Sequence, residues 1–173
     1  MSPKTTINAM RAANISISII CLSLVAGTNA RADLLNSIGR FETKSSKCEY
    51  RLGDDSIQKC RVIQMDRKTA TITAVRFIGE GKIRGSSIHL TFVANAPAQT
   101  TPLRCRSGRC TLKATDWIAT VSSVAKSKFD ELGLAKGLPQ ASPAKGDCQL
   151  NNKQLRCRAR TMNGEILSGV ASL

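Results

Sequence analysis

From Cys48 to Ala94 the chain alternates apolar and polar side chains and is rich in Ile, Val and Thr. This period of two predicts strands over 48–52, 57–65, 69–78 and 87–94. Asp66-Arg67 and Gly79-Glu80-Gly81 mark turns between them. The gaps are far too short for a parallel crossover, so the runs pair as an antiparallel meander.

Outside this block the pattern changes. Leu34, Leu35, Ile38 and Phe41 fall at helical spacing over 33–41, which permits a short N-terminal helix weakened by Gly39. Residues 95–102, with two prolines, read as a loop. Trp117, Val121, Val124, Phe129 and Leu132 keep a helical period and Gly133 offers a stop, so one helix is expected near 116–132. Residues 133–146, with their Gly and Pro, read as a flexible connector. The 147–173 tail is too short to bury a core alone, so it is expected to dock as a C-terminal hairpin. The fold class is mainly β, α+β at most.

The N-terminus reads as an address. Lys4 and Arg11 precede an uncharged run over 15–27, and Ala30-Arg31-Ala32 puts small residues at both positions of a cleavage site. At 1.5 Å per residue that run covers about 20 Å of a roughly 30 Å hydrocarbon core, too little for a span. Lipidation of Cys21 is disfavoured by Ile20 just before it. Residues 1–32 are therefore expected to be a secretory signal, and 33–173 a single disulfide-stabilised domain. No transmembrane span is expected after cleavage, and the location is periplasmic or secreted.

Cleavage after Ala32 would remove Cys21 and leave six cysteines: Cys48, Cys60, Cys105, Cys110, Cys148 and Cys157. An even number in an exported chain reads as a disulfide framework. Fifteen pairings are open. Turn-rich sequence within each close couple favours the sequential one, Cys48–Cys60, Cys105–Cys110 and Cys148–Cys157, each closing a hairpin. Zinc is disfavoured because there is no C-x2-C spacing and a single His, and neither a metal nor any cofactor is expected. A faint echo links Cys60-Arg61…Met65-Asp66, Cys157-Arg158…Met162-Asn163 and the stretch from Cys110 to Thr115-Asp116. Either a duplicated hairpin or shared strand composition accounts for it.

Candidate catalytic groups are sparse. His89 alternates with Ile88 and Leu90 and is expected at a surface or edge. No G-x-S-x-G, H-E-x-x-H or Gly-rich phosphate loop occurs. Asp54-Asp55 and Asp130-Glu131 fall where solvated charge is ordinary, although carboxylates such as Glu49, Glu80 or Glu165 leave a two-carboxylate site open. No catalytic residue is assigned, and an enzyme is not expected.

Charge changes the picture more. Twenty-six Lys and Arg stand against twelve Asp and Glu, a net +14. Cleavage would remove Lys4, Arg11 and Arg31 and no acid, leaving +11. Aromatic residues make up only 3%, too few for base-stacking platforms of the single-strand-binding type. The basic residues flank the cysteines. If each cysteine turns inward, strand alternation turns Lys59, Arg61, Arg104, Arg106, Arg156, Arg158 and Arg160 outward, with Arg109 and Lys113 extending the set.

Guanidinium forks suit phosphate, sulfate or carboxylate. Two functions follow from this set. In the first, arginine-rich hairpins engage an anionic polymer or envelope surface, such as lipid phosphate, polysaccharide or nucleic acid. In the second, the bridged loop 105–110 is a rigid probe aimed at another secreted protein, as an inhibitor or interaction partner. The plainer alternative is a solvated basic surface spread over faces that never meet.

Overall fold

The computed structural model describes residues 38–113 and 116–173. Within them the chain forms β1 (Gly39–Lys44), β2 (Cys48–Leu52), β3 (Gln58–Arg67), β4 (Ile72–Glu80), β5 (Ser87–Asn95), β6 (Leu103–Arg106) and β7 (Gly108–Leu112). Then follow β8 (Trp117–Phe129), β9 (Gln140–Asn151), β10 (Gln154–Thr161) and β11 (Ile166–Ser172). A single 3-10 turn, Ala98–Thr100, interrupts the loop after β5. The signal expected over 1–32, its cleavage point and residues 33–37 of the expected N-terminal helix lie outside the described residues.

The strands close into a ring. β1 and β2 act as one kinked stave, because both pair antiparallel with the same edge of β3, from Gly39↔Arg67 to Lys44↔Val62 and then Glu49↔Lys59. Ser45 N donates to Arg61 O across the kink. From β3 the order runs β4, β5, β8, β9, β10 and β11, each antiparallel to the next. β11 then returns to β2, from Leu167↔Leu52 to Ala171↔Cys48. An eight-stave barrel of this kind has no free edge except where staves differ in length.

One such edge exists and is covered. β11 makes its last contact to the first stave where Ser172 N donates to Lys47 O, which leaves β1 uncovered on that side. The β6–β7 hairpin, inserted between β5 and β8, fills the gap by pairing parallel with β1 at Gly39↔Gly108 and Arg40↔Arg109. Leu103, Cys105 and Cys110 of the hairpin join the barrel's core cluster.

The lumen is packed with side chains. Trp117, Tyr50, Phe77, Phe92, Ile63, Met65, Leu90 and Leu155 are all buried inside the ring. Phe77 and Phe92 meet edge to face, with centroids 5.9 Å apart. Room for the rings comes from bare backbone opposite them. A Cβ on Gly169 would stand 2.6 Å from Phe77 Cζ, and one on Gly79 would stand 2.7 Å from Tyr50 Cε1. This is a core and not a ligand cup.

The mainly β expectation and all three sequential disulfides hold: Cys48–Cys60, Cys105–Cys110 and Cys148–Cys157. The register places Cys105 directly opposite Cys110, and Cys148 opposite Cys157. The helix expected near 116–132 is instead the strand β8. Its inward residues are Trp117, Ala119 and Val121, then Ser122, an extra residue against β5 between Val121 (opposite Ala94) and Ser123 (opposite Val93), resets the alternation at Val124. The extra residue turned a period of two into steps of four and three among the large apolar side chains, which mimics helical spacing. At the N-terminus, residues 39–41 belong to β1, not to a helix.

Other boundaries shift as well. Residues 140–146, expected as connector, begin β9, and the 147–173 tail supplies the rest of β9 with β10 and β11. Pro143 is tolerated because its partner Ser123 stands at the bulge. Asp66-Arg67 and Gly79-Glu80, read as turns, are strand ends of β3 and β4. The echoed positions are not equivalent, since Met65 is a buried strand residue and Met162 an exposed turn residue. Thr115, the third member, lies outside the described residues.

Candidate functional site

The burial of β10 alternates without interruption: Leu155, Cys157, Ala159 and Thr161 face the core, so Gln154, Arg156, Arg158 and Arg160 face out. Register fixes their neighbours. Arg156 stands between Gln149 and Val170, Arg158 between Asp147 and Ser168, and Arg160 between Lys145 and Ile166. Alternate residues along a strand repeat every ~6.8 Å, so the three guanidiniums form a ladder on one face.

A groove of about 610 Å³ runs beside the ladder, across β2, β11, β10 and β9. Arg51, Arg156 and Arg158 line it together with Glu49, Asp54 and Asp147, while Gly53 and Ile57 of the β2–β3 loop form one wall. A smaller depression of about 260 Å³ follows on, lined by Lys145, Asp147, Arg158 and Arg160. The groove itself is therefore charge-balanced, and the cations exceed the acids only where Lys145 and Arg160 extend it. Asp147 accepts from Gln149 Nε2 at 2.9 Å. The arginines are oriented by neutral acceptors: Arg156 Nη2 donates to Gln154 Oε1 at 3.0 Å and Arg160 Nη1 to Gly164 O at 3.2 Å. Among the described residues the ion pairs engage Arg40, Arg61, Lys68, Arg76 and Lys126, not the ladder.

All nine basic residues of the expected outward set are exposed, but they form three groups and not one face. Lys59 and Arg61 lie on β3, where Lys59 is opposite Glu49 and Arg61 pairs with Glu80 at 2.7 Å. Arg104, Arg106 and Arg109 lie on the β6–β7 hairpin beside β1. Lys113 closes that hairpin, its N–H donating to Pro102 O at 2.7 Å.

Arg109 lines a basin of about 520 Å³ with Arg40, Arg67 and Lys68 around Asp66. Asp66 is buried and engages Arg40 Nε at 2.8 Å, with Lys68 Nζ and Arg76 Nη2 each at 3.7 Å. Arg76 also donates to Gln64 Oε1 at 2.7 Å and to Thr91 Oγ1 at 3.3 Å. Two of the basin's four cations, Arg40 and Lys68, are thus committed to one carboxylate, and the hydrogen bonds around it fasten β1, β3, β4 and β5 together.

Arg51, Lys145, Arg40, Arg67 and Lys68 were not singled out from the sequence. Arg51 lies three residues from Cys48 and so fell outside the Cys-neighbour rule. Its place across β11 from Arg158 depends on ring closure, which no local pattern encodes. His89 is half-buried on the outer wall, where Nε2 lies 3.0 Å from Ser87 Oγ and the ring lies 4.3 Å from that of Phe129. Burial, then the charge of Arg76, lowers its pKa to about 4. It is neutral at pH 7.

The three disulfides are compatible with an oxidising, extracytoplasmic compartment. Comparison with known proteins finds no family, no curated sequence and no solved structure that this chain matches.

Proposed function

We propose that this chain is an exported, non-enzymatic binding protein that engages an anionic polymer or surface through the outer face of β10. The observation that carries the reading is the ladder Arg156, Arg158 and Arg160 at strand spacing, with Arg156 and Arg160 oriented by neutral acceptors and Lys145 joining across the register. Each guanidinium offers a fork for a phosphate, sulfate or carboxylate, and a repeat along one strand suits a ligand with repeating anions. The signal layout over 1–32, with the disulfides, supports export to the periplasm or beyond.

Heparin retention tests it. The variant Arg156→Gln/Arg158→Gln/Arg160→Gln, with Gln99→Lys, Thr100→Lys and Thr111→Lys restoring net charge, should elute at clearly lower salt. Its log–log salt slope should be shallower by about two to three units. Co-elution of the two proteins would overturn the reading and leave only diffuse surface charge.

A further inference from the structure

Nine large hydrophobic side chains are exposed among the described residues, and six of them lie in loops at one end of the barrel. These are Ile57 after β2, Ile83 after β4, Leu132, Leu134 and Leu138 after β8, and Met162 after β10. Leu132 is 80%, Leu134 61% and Leu138 92% exposed. Isolated exposed apolar residues need no explanation, but several on one rim mark a contact surface.

The leucine loop is built to hold its shape. Beyond β8 the hairpin continues through the bridge Phe129↔Ala135, with Lys136 N donating to Lys128 O. At its tip Asp130 Oδ1 accepts from Leu132 N at 3.0 Å and Leu134 N at 2.7 Å, and Gly133 N donates to Asp130 O. The backbone N–H groups of Asp130, Leu132, Gly133 and Leu134 are thus satisfied within the tip while its apolar side chains face out. The β4–β5 loop packs beside it, since a Cβ on Gly85 would lie 3.2 Å from Glu131 Cβ.

Charge identifies the partner. Lys82 and Arg84 flank Ile83, and Lys128 and Lys136 stand at the base of the leucine tip. On the β4–β5 and β8–β9 loops, Glu80 pairs with Arg61 and Asp130 is occupied by backbone N–H groups, which leaves Glu131; elsewhere on the rim Glu165 pairs with Lys126, and Asp54 and Asp55 lie on the β2–β3 loop. Apolar tips ringed by cations match the boundary of an anionic bilayer, where leucines enter the acyl region and ammonium and guanidinium groups meet headgroup phosphates. The outer face of β10 does not suit a bilayer interior: its outward positions are Gln and Arg and its inward ones Leu, Cys, Ala and Thr, the reverse of a lipid-embedded barrel strand.

We infer that the β4–β5 and β8–β9 loops form a membrane-docking end, inserting Leu132, Leu134, Leu138 and Ile83 into an anionic phospholipid surface. This goes beyond the arginine ladder and does not depend on it. The ladder predicts binding that salt abolishes, whereas inserted leucines predict a component that salt leaves.

The test is co-flotation of the chain from residue 33 with vesicles of phosphatidylglycerol and phosphatidylcholine, at low salt and at about 0.5 M NaCl, where screening extends only about 4 Å. The unsubstituted chain should float in both. Leu132→Ser/Leu134→Ser/Leu138→Ser should lose at least about tenfold of the high-salt binding. Ile118→Ser, which removes an equally exposed apolar residue on β8 near the other end, should lose none, and the ladder variant should keep the high-salt component. A single Leu132→Trp should give a blue-shifted, quencher-shielded emission only with vesicles. Flotation of the triple variant equal to that of the unsubstituted chain would overturn the inference. So would absence of high-salt flotation, or a self-association of the unsubstituted chain that the triple variant dissolves, which would assign the patch to a second copy.

Discussion

The two ends of the barrel are finished in opposite ways. At the end where β5 leaves and β8 begins, the inserted β6–β7 hairpin covers the free edge of β1 and sinks Leu103 and a disulfide into the core. At the other end the loops between staves touch one another, yet their leucine side chains remain outside. The same chain therefore spends apolar residues on packing at one end and leaves them unburied at the other. Closure of a ring does not by itself decide what its rims are for. At the packed rim a substitution should cost stability, and at the open rim it should cost binding alone.

The largest effect should come from the packed end. Leu103→Ala removes a fully buried side chain and should destabilise by about 2–5 kcal/mol, read from the denaturant midpoint. If the loss is under about 1 kcal/mol, the hairpin is an ornament and the contrast fails. Next, replacing both Cys148 and Cys157 by Ser frees a pair on the wall between the two ends and should cost about 2–3 kcal/mol. An unchanged midpoint would show that register alone holds β9 to β10.

The third effect is set by pH and belongs to the open half, where His89 lies near the start of β5. Its folded pKa of about 4 is below the unfolded 6.5, so the unfolded chain binds more protons between those values. Stability is then full above about pH 6.5, falls as pH drops through this window, and levels off near pH 4. The loss should be on the order of 1–3 kcal/mol, and His89→Gln should flatten it. A slope unchanged in that variant would assign the acid sensitivity to carboxylates instead. The smallest effect is the stability change of Leu132→Ser/Leu134→Ser/Leu138→Ser, expected within about 0.5 kcal/mol. A larger loss would mean that the open rim, too, is structural.

Legibility followed locality. Strict alternation marked β2 to β5, and the couples of cysteines marked the bridged hairpins, because both signals lie within a few residues of each other. The outward direction of Arg156, Arg158 and Arg160 followed from Cys157 by alternation alone. β8 misled because one bulged residue, Ser122 against β5, changes the spacing of its large side chains while Ala119, small and fully inward, gives no apolar signal. β9 misled because Pro143 and Gly146 look like loop residues outside their sheet context. Ring closure, and with it the neighbourhood of Arg51 and Arg158, rests on pairing between Cys48–Leu52 and Ile166–Ser172, for which the sequence carries no local mark. Leu134 and Leu138 were visible in the 133–146 stretch and Leu132 was read into the expected helix, but their exposure was not legible, since exposure depends on what the rest of the chain leaves uncovered.

The sequential bridges have a consequence for the order of assembly. Each of the six cysteines is joined to the cysteine next to it along the chain. If the segment carrying Cys21 is removed, as the sequence reading expects, then in a polypeptide that emerges amino-terminus first Cys60 finds only Cys48 waiting, Cys110 finds Cys105 unpaired, and Cys157 finds Cys148. An oxidant acting during emergence therefore makes the native set without a shuffling step. Refolding from a fully reduced chain removes that ordering and exposes all fifteen pairings at once. Closure of β11 onto β2 joins the two extremes of the ring and must wait for the last residues, so it is the slow, non-local event. Oxidative yield should consequently depend far less on a disulfide isomerase during vectorial synthesis than after dilution from denaturant.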